Sequence, residues 1–313
     1  MPTSVRSSGL AFLRACIPAL VLLVFSPKLS AQAIDSVGVR AQGMGGAFTA
    51  IADDATATWW NPAGLASGAI FNLSAEYGRL DDPEHERGGF AVTIPSLGFS
   101  YYRMPVSEIQ PTAVSTAESG AGRQDPGTLT VRTVDLSQFG VTVGQSVGGH
   151  LVLASTFKII HIEDGTSVAV DIGALAVAGH ARLGVSARNL REPTLGEGAA
   201  AFTLTRQVRV GAAVSPLASP KLAATLAFDA DVLEKPSATG NERRMAGGAE
   251  LWIWNHVVGV RAGLGGSTVG DSRMSHSFGG SVMVHRGMFV EGQFTDGSDT
   301  ARKGWGAAFR VTF

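Results

Sequence analysis

The sequence predicts an all-β protein: a 14-stranded antiparallel transmembrane β-barrel with an N-terminal hatch, or plug, segment. Three observations predict it. The last eleven residues alternate apolar and small or polar side chains and end on an aromatic residue. The same alternation recurs along the chain in fourteen segments. The connections between those segments alternate short and long.

Lys303 to Phe313 shows the alternation most clearly. Trp305, Ala307, Phe309, Val311 and Phe313 fall on one face, and Gly304, Gly306, Ala308, Arg310 and Thr312 on the other. A period of two is the signature of a strand. A terminal strand closing in Phe suits the machinery that inserts outer-membrane barrels, which makes that machinery an expected partner through Phe313. Upstream, Val208, Val210, Ala212 and Val214 oppose Gln207, Arg209, Gly211 and Ala213. Leu222 to Ala230, Val258 to Leu264 and Leu183 to Ala187 repeat the pattern. One face suits hydrocarbon and the other is polar or small, which is lipid-out, lumen-in patterning. The segments lie near 69–77, 88–94, 97–104, 130–144, 150–163, 166–178, 181–190, 206–215, 221–231, 243–253, 256–264, 274–285, 287–295 and 303–313. Their number is even, as bacterial barrels require.

Pro95-Ser96, 147–149, Gly179-His180, 216–220, Trp254-Asn255 and His285-Arg286 read as tight periplasmic turns. The stretches 78–87, 105–129, 191–205, 232–242, 265–273 and 296–302 read as longer outside loops. This asymmetry is characteristic of outer-membrane barrels. Asp164-Gly165 has the residue types of a two-residue type I′ hairpin. That turn sets Glu163 opposite Thr166, Phe157 opposite Ile172, Lys158 opposite Asp171 and Ile159 opposite Val170. Lys158 and Asp171 then point into the lumen as cross-strand neighbours. Trp252 and Trp254, beside a periplasmic turn, read as interfacial anchors.

The N-terminus reads as an export signal. Arg6 and Arg14 precede an apolar run from Ile17 to Phe25, and Ala31-Gln32-Ala33 forms an A-x-A cleavage site. The expected organisation is residues 1–33 as a cleaved signal peptide, 34–66 as the hatch and 67–313 as the barrel. Cys16, the only cysteine, falls inside the signal, so no disulfide supports the mature chain. The net charge of −1 provides no electrostatic case for nucleic acid. After the signal no run of about 18 apolar residues occurs, so no spanning helix is expected.

Residues 38–68 do not alternate. Gly43, Gly45 and Gly46 permit tight backbone contact. Asn61-Pro62 reads as a helix start, with Asn at the N-cap and Pro at the first helical position. Asp53 and Asp54 read as caps of a neighbouring turn. These seven residues are the candidate hatch. Phe48, Trp59, Trp60 and Leu65 are the candidate contacts for an apolar ligand, because indole and phenyl rings offer large apolar faces.

At these residues the chain resembles a known family. Arg40-Ala41, Gly45-Gly46-Ala47-Phe48, Ala52-Asp53-Asp54-Ala55 and Trp60-Asn61-Pro62-Ala63-Gly64-Leu65 are similar to the N-terminal signature of the PorV/PorQ family, a branch of the FadL-type outer-membrane barrels. Ser186 to Leu190, Gly211 to Pro216, Gly248 to Trp252 and Val260 to Gly263 add weaker similarity. The resemblance implies a fourteen-stranded barrel with an N-terminal hatch. It also implies either diffusion of hydrophobic molecules across the outer membrane or shuttling of secreted proteins in the type IX secretion system.

Lys158, Asp171, Arg182, Arg188, Arg209, Asp229, Glu250, Arg261, Glu291 and Arg310 all fall on inward positions, since charges facing lipid are costly. They read as a salt-bridged wall that holds the plug, or as a polar translocation path. No H-E-x-x-H or phosphate-loop spacing is present. No catalytic residue, metal or cofactor is therefore expected, and the chain reads as a non-enzyme. The sequence-based expectation is passive transport of a hydrophobic or small solute across the outer membrane, gated by the hatch. A closed barrel serving as an adaptor for exported proteins is the alternative. The expected partners are outer-membrane lipid and either a hydrophobic small molecule or an exported protein.

Overall fold

The computed structural model describes residues 32–33, 37–81, 84–111, 129–163, 165–196, 201–237, 240–270 and 272–313. The predicted signal features between Arg6 and Phe25 lie outside the described residues. So do most of loop 105–129 and Asp164. Gln32-Ala33, at the predicted cleavage site, pairs with Val106-Ser107.

Among the described residues, fourteen antiparallel strands close into one barrel. They are β1 (Asn72–Asp81), β2 (Glu84–Ile94), β3 (Leu97–Pro111), β4 (Leu129–Val147), β5 (Leu151–Ile162), β6 (Gly165–Ala178) and β7 (Ala181–Arg188). The second half is β8 (Gln207–Ala218), β9 (Leu222–Asp231), β10 (Arg244–Ile253), β11 (Val258–Ser267), β12 (Met274–His285), β13 (Met288–Gly297) and β14 (Gly304–Thr312). Each strand pairs with the next, and β14 closes on β1 through pairs such as Arg310 with Ser74. Closure leaves no free edge, and every strand can satisfy its backbone bonds within the wall.

The alternation sets the two faces. On β5, Phe157 and Ile159 are 57% and 52% exposed, whereas Thr156, Lys158 and Ile160 between and beside them are buried. Apolar groups left in contact with lipid cost nothing, while polar groups there lose their hydrogen bonds. The inward set includes all ten predicted lumen charges. Nine are buried and Arg182 is partly exposed.

Three expectations need correction. The β5–β6 register differs by two residues: Lys158 faces Ala169, Phe157 faces Val170, Ile159 faces Val168, and Asp171 faces Thr156. Gly165 is not a turn residue: it is already the first residue of β6, paired with Ile162. Gly165 lacks the positive φ that a type I′ turn demands. Its missing side chain instead lets Gly196 approach, since a Cβ there would lie 3.1 Å from the Gly196 nitrogen. A two-residue shift preserves the faces, so Lys158 and Asp171 still meet inside the barrel, diagonally, at 2.8 Å.

Second, 78–87 is not a loop. Pairing runs on through Gly78 with Arg87, Arg79 with Glu86 and Asp81 with Glu84. Third, Trp252 is not an interfacial anchor. It turns inward and packs edge-on against Phe289, with Arg261 and Arg310 over its ring. Trp254 does stand exposed in the periplasmic turn.

Candidate functional site in the barrel lumen

Residues 37–68 run through the barrel interior. A five-residue helix, α1 (Val39–Gly43), begins where the Gly38 and Val39 amides donate to the Glu76 carboxylate of β1, at 2.9 and 3.1 Å. A carboxylate at a helix start satisfies amides that have no partner within the helix. Gly45 and Gly46 follow with φ of 69° and 85°, a backbone shape that glycine adopts without strain. A Cβ on Gly45 would lie 2.8 Å from the Leu264 nitrogen, so the segment lies directly on β11. Gly43 rests likewise on Gly279 of β12.

The chain then passes along the wall to β9, two strands from β11. The amides of Phe48 and Thr49 donate to Asp229 of β9 at 3.0 and 2.8 Å. Asp54 caps the next turn by accepting from the Thr56 amide and hydroxyl, and leads into α2 (Ala57–Trp60). Asn61 caps a 3₁₀ turn over Pro62–Ser67, accepting from the Ala63 amide at 3.2 Å. Its amide group donates to the Thr49 carbonyl at 2.8 Å and to the Ala174 carbonyl of β6 at 3.1 Å. The side chain thus joins two parts of the segment to the wall.

The lumen charges are arranged in pairs of opposite sign. Arg40 of α1 grips Glu250 with two bonds, 2.8 and 2.6 Å, and reaches Asp53 at 2.5 Å and Asp54 at 3.3 Å. Glu250 also accepts from Arg261 at 2.6 Å, and Arg261 and Arg310 converge on Glu291 at 3.4 and 3.1 Å. Arg182 meets Asp53 at 3.4 Å. Arg209 holds Asp231 at 2.7 Å. Lys158 is held by Asp171 and by the Asn189 side chain at 2.9 Å. Arg188 bonds Gln207 and lies 4.6 Å over the Trp59 ring. Burial of so many charges is tolerable only because partners of opposite sign and hydrogen bonds surround them.

The four candidate apolar contacts are all buried. Phe48 and Trp60 pack edge to face at 6.1 Å, and Trp60 donates to the Val37 carbonyl at 2.9 Å. Trp59 packs edge-on against Tyr102 at 6.0 Å. Leu65 presses on Gly98 of β3. These groups form one continuous apolar cluster with residues the sequence reading did not single out: Met104, Val106 and Leu136 of the long β3–β4 ribbon, Ile160 and Ile162 of β5, and Leu195, Phe202 and Leu204 of the loop before β8. The cluster therefore runs from the N-terminal segment to the end of the barrel where the β3–β4 ribbon extends. The signal for it was present: Val106 continues the inward alternation of Tyr102 and Met104 past the assumed end of β3 at 104, and apolar residues recur in an otherwise polar 191–205 loop.

A family model described as "F plasmid transfer operon, TraF, protein" matches residues 160–231. No curated protein matches. Solved structures do. The CymD monoaromatic hydrocarbon channel has a TM-score of 0.58 at 10% identity, covering 89% of this chain and 98% of that one. The fold is that of the FadL-type barrels. A Pseudomonas aeruginosa FadL homologue aligns at TM-score 0.56 and 9% identity over 90% of this chain and 98% of its own. The P. putida toluene transporter TodX aligns at 0.54 and 10% identity, over 89% and 99%. All three FadL-type neighbours are aligned over nearly their whole length, so the shared architecture is the complete barrel.

Proposed function

We propose that this protein is a non-enzymatic outer-membrane channel for passive movement of a hydrophobic solute, with residues 37–68 as its gate. The observation that carries the reading is the continuous apolar cluster from the extracellular end to Trp59, Trp60 and Phe48. An apolar solute entering there has this cluster beside it as far as the N-terminal segment. The solute class is supported by two of the FadL-type neighbours, a monoaromatic hydrocarbon channel and a toluene transporter. The segment is tethered by discrete polar contacts to Glu76, Asp229 and Glu250, which can be exchanged for water without disturbing the wall.

The filled lumen favours a second reading, the closed adaptor for exported proteins that the PorV/PorQ resemblance implies. Flux separates the two. The full chain in liposomes, with the apolar dye 1-N-phenylnaphthylamine, is expected to pass dye faster than liposomes alone. Loosening the tether with Arg40→Ala is expected to raise the rate. No flux from either protein would reject the channel and leave the adaptor.

A further inference from the structure

We propose that the outer face of the barrel, at its extracellular end, seats the saccharide headgroup of an outer-leaflet glycolipid. This does not depend on the transport reading. The outward-facing residues change character at one level on neighbouring strands. Tyr77 gives way to Arg79 and Asp81 on β1, Phe90 to Glu86 on β2, and Tyr101 to Arg103 on β3. Phe139 gives way to Ser137 and Asp135 on β4, and Ile159 to His161 on β5. A step from aromatic to charged side chains marks the depth of the lipid headgroups.

At that level the wall is indented. β2 pairs with β3 only as far as Gly88 with Arg103, while β1–β2 pairing continues outward to Asp81 with Glu84. β4 leaves β5 at Ser137 with His161, while β3–β4 pairing continues to Pro111 with Leu129. The freed ribbon leans over the lumen, burying Met104, Val106 and Leu136 in the inner cluster. Its outer face becomes the floor of a cavity of about 930 Å³ between the β1–β2 and β5–β6 tips. Gly89 permits the bend: a Cβ there would collide with the Tyr101 carbonyl and the Tyr102 ring.

The lining selects the occupant. Tyr77 donates to Glu86 at 2.8 Å, Arg103 to Asp135 at 2.6 Å, and Tyr101 meets Ser137 at 3.3 Å. His161 and Glu163 close the far side. Glu86, Asp135 and Glu163 repel a bare phosphate but accept hydroxyl protons, and Arg103 donates to ring and hydroxyl oxygens. Alternating donors and acceptors around aromatic side chains suit a sugar, and the volume falls in the usual range of small-molecule sites. Below the cavity, Phe90, Phe139 and Phe157 stand exposed to the bilayer, where acyl chains attached to the sugar would run.

Native mass spectrometry of the full chain in detergent tests this, with lipid A stripped of its phosphates, phosphatidylglycerol and the deacylated, phosphate-free lipid A disaccharide as probes. One lipid A per barrel is expected, with phosphatidylglycerol held at least about tenfold more weakly. Arg103→Ala removes the main donor and Ser137→Trp fills the cavity. Each is expected to weaken lipid A by about tenfold or more while the barrel still resists unheated SDS. Because the two variants act by different means and at exposed or half-exposed positions, failure of one to fold leaves the other as the test. Equal retention of phosphatidylglycerol, or undiminished lipid A on a folded variant, would overturn the proposal. Disaccharide binding as tight as that of lipid A would overturn the lipid as source.

Discussion

Replacing Asp229 with alanine should release the middle of the N-terminal segment without unfolding the barrel. Its carboxylate accepts from the Phe48 and Thr49 amides at 3.0 and 2.8 Å, and all three residues are buried. Each hydrogen bond to a charged group is worth roughly 1.5–3 kcal/mol. Part of that gain is offset by the cost of keeping the carboxylate out of water, so a net loss of about 2–4 kcal/mol is expected. Arg209 is not left stranded, because it also holds Asp231 at 2.7 Å. Hydrogen exchange followed on peptides covering 44–52 reads the effect directly. A loss of about 2–4 kcal/mol corresponds to exchange roughly 30- to 700-fold faster at these amides, with strand amides unchanged. Asp229→Asn retains a carbonyl acceptor and should fall between. Unchanged exchange at Phe48 and Thr49 in a folded Asp229→Ala barrel would refute the account of how the segment is held.

Gly263→Ala places a methyl group against the backbone of Met44 and Gly45, where nothing can rotate aside. It should expose 37–68 to limited proteolysis, whereas Gly292→Ala, with no atom closer than 4.0 Å, should not. Lys158→Met leaves Asp171 buried without its cation and should cost about 3–5 kcal/mol in denaturant unfolding. The Lys158→Met/Asp171→Leu double variant should cost less than the sum of the singles, and additivity would argue against a coupled pair. At the extracellular end, burial works against ionisation of Glu242, but Arg302, Lys235 and Arg244 outweigh it and lower its pKa from 4.5 to about 2. A carboxyl with a depressed folded pKa contributes stability that is fully present above its unfolded value and is lost as pH falls through the folded one. Thermal stability should therefore drop between about pH 4.5 and pH 2, and Glu242→Gln should flatten that part of the profile.

The barrel was legible in the sequence wherever strands face lipid, because hydrocarbon imposes a strict apolar alternation there. Above the membrane the rule lapses. Residues 78–87 keep their pairing but face water and headgroups, so Arg79, Asp81 and Glu86 read as loop. The β5–β6 register failed because Gly165 has two possible uses, a turn or a close approach, and only the position of Gly196 decides between them. Trp252 was misread because Trp near a turn suits the interface on average, whereas parity with Glu250 already placed it inside. Residues 38–68 stand apart in the sequence by their lack of alternation, but their wall partners do not: Arg40 and Glu250 are separated by 210 positions, and no local pattern links them.

That separation has a consequence for biogenesis. The segment comes first in the chain, yet its anchors at Asp229 and Glu250 are about 180 and 210 positions away. Contacts so distant in sequence form slowly, since a long loop must close before they are rewarded. Trp59 has Tyr102 of β3 to pack on early, but the stretch around Phe48 is not anchored until β9 to β11 are in place. The part of the molecule that finally fills the lumen is thus the part most exposed to aggregation beforehand.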